Sequence, residues 1–201
     1  MKLIFFDTET TGLEPGSICQ LSYIVLDVGK SIKGNNIYFS VDYVEPGAES
    51  VHGLSVEKLK ELSHGKMFKD LYKEFIQDFF SADVYIGHNI PFDIKFMETE
   101  VTRCGVDFEN KNIFCTMRYY KDICKLKGRN GKNKYPKLSD VVKFLCIDDE
   151  TISNAAKKYF NGSDDFHDAR YDTAATFLLV TEGIKQGYIP QGYFTQTYGG
   201  F

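Results

Sequence analysis

Hydrophobic residues along this chain come in short runs at two different periods, and the switches between them divide the sequence into strands and helices. Residues 2–6 read as a strand, and residues 18–27 (ICQLSYIVLD) as a second, rich in β-branched and aromatic side chains. The stretch GKSIKGNN carries turn residues, and residues 37–44 (IYFSVDYV) alternate well enough for a third strand that completes a meander. Ser55 and Ser63 are placed as helix N-caps. In residues 67–80 the apolar Met67, Leu71, Phe75, Ile76 and Phe79 share one helical face. ADVYIGHN then reads as a buried strand and turn, followed by a helix over residues 91–105 with Pro91 in its first turn and Gly105 beyond its end. A short strand at 112–115, helices near 116–124 and 138–146, and a last helix from about 168 to 185 complete the pattern. Three leading strands followed by strands alternating with helices predict an α/β fold with a mixed five-stranded sheet flanked by helices.

No repeat, low-complexity tract or linker divides the 201 residues, and 43% hydrophobic content suffices for one core, so a single domain over residues 1–185 is expected. The uncharged, aromatic residues after it, 186–201, form a tail that either packs on the domain or serves as an exposed docking peptide. MKLIFFDTET is not a signal peptide and no window suits a membrane span, so a soluble, cytoplasmic protein with no membrane partner is expected. Five cysteines stand singly, four among apolar neighbours, which predicts buried free thiols.

The net charge of −4 argues against a generally basic nucleic-acid surface, yet the charge is unevenly spread. Between Arg118 and Lys137 eight cations face a single acid, Asp122. KGRNGKNK within that stretch has no helical or strand period and reads as an exposed loop, either merely solvated or a phosphate-contacting flap.

Acids provide the candidate chemistry. Asp7 and Glu9 at the end of the first strand project from one face, about 7 Å apart. Asp93 lies in the first turn of a helix just after a buried strand, and Asp172 in the early turns of the last helix, with His167 at or before its start. Five positions separate His167 from Asp172, about 140° around a helix, so they converge only if His167 is frayed or in the preceding loop. Strand ends and helix starts meet on one rim of a layered sheet, where four carboxylates call for two divalent cations. Hard oxygen donors select Mg²⁺ or Mn²⁺. Such a pair serves displacement at phosphorus, and an imidazole beside it, His167, suits the proton of the attacking water. Of the other histidines, His64 reads as a loop residue, His88 as a turn holder, and His52 as either a ligand contact or a turn cap.

FFDTETTGL, GHNIPFD and HDARYDT resemble, in order, the signature blocks of the DEDD 3′–5′ exonucleases, in the histidine-bearing DEDDh branch whose last block is H-x-A-x-x-D, here His167, Ala169 and Asp172. VHGLSVEKL is similar to a segment of the proofreading epsilon subunit of bacterial DNA polymerase III, within the ribonuclease T superfamily. The resemblance covers residues 2 to about 185. It implies a ribonuclease H-like fold and stepwise hydrolysis from 3′ ends of mainly single-stranded DNA, releasing nucleoside 5′-monophosphates in proofreading or repair. It also implies Asp7, Glu9, Asp93 and Asp172 as metal-binding catalytic acids and His167 as general base. Thr10, Thr11 and Leu13 would hold the terminal nucleotide, with His52 and Phe92 lining its pocket, and a DNA polymerase is a candidate partner. Trimming of RNA 3′ ends is the alternative with the same chemistry, and a non-catalytic nucleic-acid or polymerase-binding module is the alternative of another class. Asp168 departs from the small residue common at that place in relatives, and either raises the histidine's pKa or faces solvent. Residues 147–164 are longer than in compact relatives.

Overall fold

The computed structural model describes residues 1–109, 111–161 and 167–199. The elements are β1 (Lys2–Thr10), β2 (Ile18–Asp27), β3 (Ser31–Tyr38), α1 (Pro46–His52), α2 (Val56–Leu62), α3 (Phe68–Phe80), β4 (Val84–Gly87), α4 (Pro91–Arg103), β5 (Asn112–Cys115), α5 (Thr116–Tyr119), α6 (Lys121–Cys124), α7 (Leu138–Phe144), α8 (Asp149–Phe160), α9 (Ala169–Lys185) and α10 (Tyr193–Tyr198). They build a five-stranded sheet in the order β3-β2-β1-β4-β5, antiparallel on the β2 side of β1 and parallel on the β4 side. The mixed sheet therefore stands as expected.

Alternation along β1 assigns its residues to two layers. Leu3 and Phe5 pack with α7, α8 and α9, the Phe5 ring edge-on to Phe177 at 5.1 Å. Ile4 and Phe6 face α3 and α4, where Phe6 meets Phe79 at 5.1 Å. Complete burial of Phe5, Phe6 and Phe79 contributes about 1.5–3 kcal/mol each.

Four local expectations are corrected. β1 continues to Thr10 because β2 pairs with it as far as Thr10↔Ile18, so Asp7 and Glu9 lie within the strand and not beyond it. The third strand is Ser31–Tyr38, over residues read as a turn. Its Gly and Asn mimic turn chemistry, but on a sheet edge open to solvent the pairing with β2 overrides that local preference. Gly34 serves packing, since a Cβ there would come within 2.5 Å of the Tyr159 carbonyl in α8. The alternation at residues 39–44 reflects loop burial: Phe39 packs between Phe68 and Phe75, and Val41 and Val44 pack on Leu54 and Leu59. Ser55 caps α2 as expected, by accepting from Lys58 N–H, but Ser63 closes that helix at its C-terminus instead of opening the next.

Three helices escaped the sequence reading, α1, α8 and, within the tail, α10. α1 begins at Pro46 and ends at Gly53, whose φ of +68° is the left-handed cap glycine allows. α8 is capped by Asp148, which accepts from Thr151 N–H at 2.7 Å, and buries Ile152, Ala156 and Phe160 at four-residue intervals. The tail packs: Phe194 is buried against Phe114 at 5.0 Å between rings, and Tyr198 OH donates to Ile113 O at 3.2 Å. No cysteine forms a disulfide, but only Cys19 and Cys115 are buried, and Cys146 is exposed in a turn at φ +55°. Among the described residues no helix is long and apolar enough to cross a membrane.

Candidate active site

β4 ends early. Its pairing with β1 stops at Phe5↔Ile86, and the chain turns away through Asn89, at φ +68°, into α4. The second half of β1 thus has a strand neighbour on one side only, and the backbone facing the missing neighbour must be satisfied otherwise. Asp93, in the first turn of α4, does this: its Oδ1 accepts from Thr8 N–H at 3.0 Å and from the Thr8 hydroxyl at 2.8 Å. Thr8 points to the α4 layer, while Asp7 and Glu9 on either side point to the α9 layer. Asp93 reaches the acids around the open end of the sheet.

From the other layer α9 delivers Asp172. One carboxylate oxygen each from Asp7, Glu9 and Asp172 lie within 4.8 Å of one another, and all three residues are half-buried. Asp172 Oδ1 is a buried oxygen with no hydrogen-bond partner, the mark of a group awaiting a cation or donor. Burial first, and then the charges of Asp93, Asp172, Glu9 and Asp168, push the Asp7 carboxyl well above the usual carboxylate range. Burial, then Asp172, Asp168 and Asp93, raises Glu9 to about 9. Burial also raises Asp172 to about 7, against the lowering effect of the His167 backbone, and Asp93 to about 7, against the Thr8 hydrogen bonds.

Without cations the folded chain holds protons on these acids that the unfolded chain releases near pH 4, so stability falls as pH rises from there toward 7 and above. A bound divalent cation reverses this by favouring the ionised forms. The increase in melting temperature caused by Mn²⁺ relative to EDTA should accordingly be larger at alkaline than at mildly acidic pH. An increase independent of pH would contradict the carboxylates as its source.

His167 stands in the turn immediately before α9, exposed and at φ +65°, and joins Asp172 in lining a cleft of about 590 Å³. This is the loop placement that the five-residue spacing required. Asp168, the next residue, is the α9 N-cap: it accepts from Arg170 N–H at 2.9 Å, binds the Arg170 guanidinium at 2.9 and 2.6 Å, and accepts from Gln20 Nε2 at 3.0 Å. Burial would raise its carboxyl, but the Arg170 and Gln20 contacts prevail and hold it below the usual value. Asp168 is thus a fastener for the start of α9 and does not face solvent. Gln20 is in turn tied to Asn36 at 2.9 Å, and Ser22 to the same Asn36 oxygen at 2.6 Å. Thr8, Gln20 and Asp168 were missed as supporting residues, although strand alternation was a usable signal for Thr8.

A second cleft, of about 360 Å³, opens on the Glu9 side and is lined by Thr10, Leu13, Val51 and His52. Its rim is the TTGL turn, pinned by Glu45 N–H to Thr11 O at 2.9 Å and Thr10 Oγ1 to Gly12 O at 2.8 Å. A Cβ at Gly12 would collide with the Glu45 carboxylate. Thr10 and Thr11 are buried, whereas Leu13 is 82% exposed, an apolar side chain held out over the cleft mouth. His52 Nδ1 accepts from Leu54 N–H at 3.1 Å, so Nε2 carries the proton and donates to Thr10 O at 3.3 Å. Burial, outweighing smaller effects, lowers its pKa. Phe92 packs on Phe96 at 4.8 Å and is not among the residues lining this cleft.

His88 is a brace, as its position suggested. Its Nε2 donates to Pro136 O at 3.1 Å and its Nδ1 accepts from the Thr116 hydroxyl at 2.9 Å, and burial lowers its pKa to about 4.

The chain is similar to known proteins in sequence and in fold. The Exonuclease (RNase_T) family model matches residues 4–180. Over 111 residues the chain is 36% identical to the DNA polymerase III subunit epsilon of Rickettsia felis, covering 51% of this chain and 45% of that protein. It is 32% identical over 123 residues to the epsilon subunit of Salmonella typhimurium, covering 57% and 49%. It is 25% identical over 188 residues to the PolC-type DNA polymerase III of Streptococcus suis, covering 90% and 11%. The chain therefore spans about half the length of the epsilon subunits it matches. Among solved structures, E. coli exonuclease I in complex with a dT13 oligonucleotide superimposes with a TM-score of 0.70 at 18% identity, over 92% of this chain and 41% of that one. Exonuclease X in complex with 5′ overhanging duplex DNA gives 0.62 at 20% identity, over 92% and 93%. These likenesses establish the ribonuclease H-like fold. The family match runs from β1 into α9 and so contains every acid of the cluster, and the chain belongs to the exonuclease family.

Proposed function

We propose that this chain is a metal-dependent 3′–5′ exonuclease that hydrolyses phosphodiester bonds at the 3′ ends of mainly single-stranded DNA, releasing nucleoside 5′-monophosphates in proofreading or repair. The observation that carries the reading is the convergence of Asp7, Glu9 and Asp172 oxygens within 4.8 Å on a partly buried rim. The orphaned Asp172 Oδ1 and the all-oxygen donor set fit Mg²⁺ or Mn²⁺. Asp7, Glu9 and Asp172 would hold the ions, with Asp93 completing the set from the other layer. Bound divalent ions would supply charge stabilisation at the reacting phosphorus and lower the pKa of water.

The chain's own residues supply the remainder. The turn at Thr10 and Thr11 and the side chains of Leu13 and His52 receive the terminal nucleotide in the smaller cleft, with the phosphodiester over the acids. His167 takes the proton of the attacking water from the edge of the other cleft, where its exposure lets it exchange that proton with solvent. The His52 Nε2–H is committed to Thr10 O, so His52 shapes the turn and does not compete as a base. Support for DNA as substrate comes from the relatives, named as a DNA polymerase III subunit and a PolC-type DNA polymerase III, and a DNA polymerase is the partner they suggest.

The test is incubation with 3′-labelled single-stranded DNA, duplex DNA with a mismatched end, and short RNA, each with Mg²⁺, Mn²⁺ or EDTA. Release of labelled mononucleotide, abolished by EDTA and fastest on DNA, is expected. Faster release from RNA would move the assignment to RNA 3′-end trimming. Absence of cleavage on all substrates would leave a binding module.

A further inference from the structure

Residues 125–137, between α6 and α7, contain the basic run, and they are not a shapeless loop. Lys134 N–H donates to Leu126 O at 2.8 Å, Gly128 N–H to Lys132 O at 2.9 Å, and Lys127 pairs with Asn133 in a single antiparallel bridge. The tip turns through Gly131 at φ +73°. Lys127 Nζ donates to Asn133 Oδ1 at 2.9 Å, and Asn133 Nδ2 donates to Asp122 at 2.8 Å, so the acid of this segment is engaged without neutralising a cation. Lys125, Lys127, Arg129, Lys132, Lys134 and Lys137 are all exposed, and among the described residues none makes an ion pair. A chain of net charge −4 thus holds six unpaired cations on one ordered hairpin.

The hairpin is joined to the site. Its returning leg is fixed by the His88 bond to Pro136 O and by Lys121, whose Nζ lies 4.7 Å from the centre of the Tyr135 ring. Tyr135, Pro136 and Lys137 then form a wall of the same cleft that His167 and Asp172 line. That cleft and the Leu13–His52 cleft meet at the acids, because Glu9 lines one and Asp172 the other. A strand whose last nucleotide fills the smaller cleft, with its phosphodiester over the carboxylates, continues into the larger cleft and leaves along the hairpin.

We propose that the 125–137 hairpin is a backbone grip that binds the phosphates of the incoming nucleic-acid strand several nucleotides upstream of the bond being cut. This rests on the nuclease reading of the site and adds a surface that the acid centre does not need for chemistry. Cations on an exposed, hydrogen-bonded hairpin suit phosphates of any sequence, and Tyr135, 51% exposed, offers a ring on which a base can stack. The surface accounts for how an acidic protein holds a polyanion.

The triple variant R129Q/K132Q/K134Q tests this, since these residues lie outside both clefts and Gln keeps the chain length and polarity. Binding to a long fluorescent oligothymidylate is followed by anisotropy in EDTA, where no hydrolysis is needed, between about 50 and 200 mM salt. Loss of three phosphate contacts should reduce the slope of log K against log salt by about 2, at roughly 0.7 per contact on single strands. Turnover of a dinucleotide, too short to reach the hairpin, should be unchanged, and K132R/K134R should bind like the parent. Unaltered affinity and slope would overturn the grip and leave the cations to solvent or an acidic protein. An equal fall in dinucleotide turnover would overturn it too, by placing the effect at the acid centre. If the parent binds oligothymidylate with the expected salt slope but cleaves nothing, the nuclease reading fails while the grip stands.

Discussion

Asp7→Asn should lower the exonuclease rate by about 10³-fold or more and, in EDTA, raise the melting temperature. Both effects come from one charge. Asp7 sits mid-strand among Glu9, Asp172 and Asp93, where burial and those neighbours keep its carboxyl protonated in the cation-free fold at a pH at which the unfolded chain ionises it. Asn keeps the shape and has no proton to hold, so the cation-free fold gains at every pH above the ordinary carboxylate range. The same change removes an anionic ligand, and a deficit of about 4 kcal/mol in charge stabilisation at phosphorus corresponds to about 10³ in rate. Paired thermal melts and turnover assays check this. A variant that retains activity would mean that Asp7 is not catalytic, and one that melts lower in EDTA would mean that the cluster does not destabilise the cation-free fold. Sites that make their own ionisation costly in this way commonly exchange stability for function.

His167→Ala should reduce turnover by roughly two to four orders of magnitude, the usual worth of a general base, while Mn²⁺ still stabilises the protein against heat. The separation is expected because His167 contributes no oxygen to the cluster and projects from the turn before α9, whose start is held independently by Asp168, Arg170 and Gln20. Because His167 is exposed, added imidazole should restore part of the lost rate. Equal losses of turnover and Mn²⁺ stabilisation would make His167 a ligand instead of a base.

Much of the site was legible before any coordinates. Alternation in a strand put Asp7 and Glu9 on one face, and the spacing of His167 and Asp172 demanded a histidine outside the helix, where it stands at φ +65°. The helices with wide apolar faces, α3, α4 and α9, were placed within about two residues, the normal uncertainty of helix ends. The elements misread were those whose stability is not local. SIKGNNIY forms β3 only because β2 offers it a complete row of partners, and α8, polar over most of its surface, is held by three apolar residues buried against α9 and the sheet.

Sequence by itself determined the residue types, the faces and the order of the blocks, because alternation and helical period are properties of the local backbone. Tertiary structure alone decided that β4 stops at Gly87 and leaves the second half of β1 open. Through that opening Asp93 reaches Thr8 from one layer while Asp172 arrives from the other. It likewise decided that Asp168 fastens α9, and that the basic run is a hairpin at the mouth of the cleft. These are meetings of segments about 80 to 150 residues apart, as in the Thr8–Asp93 and Gln20–Asp168 contacts, and no local pattern encodes a distance between such segments.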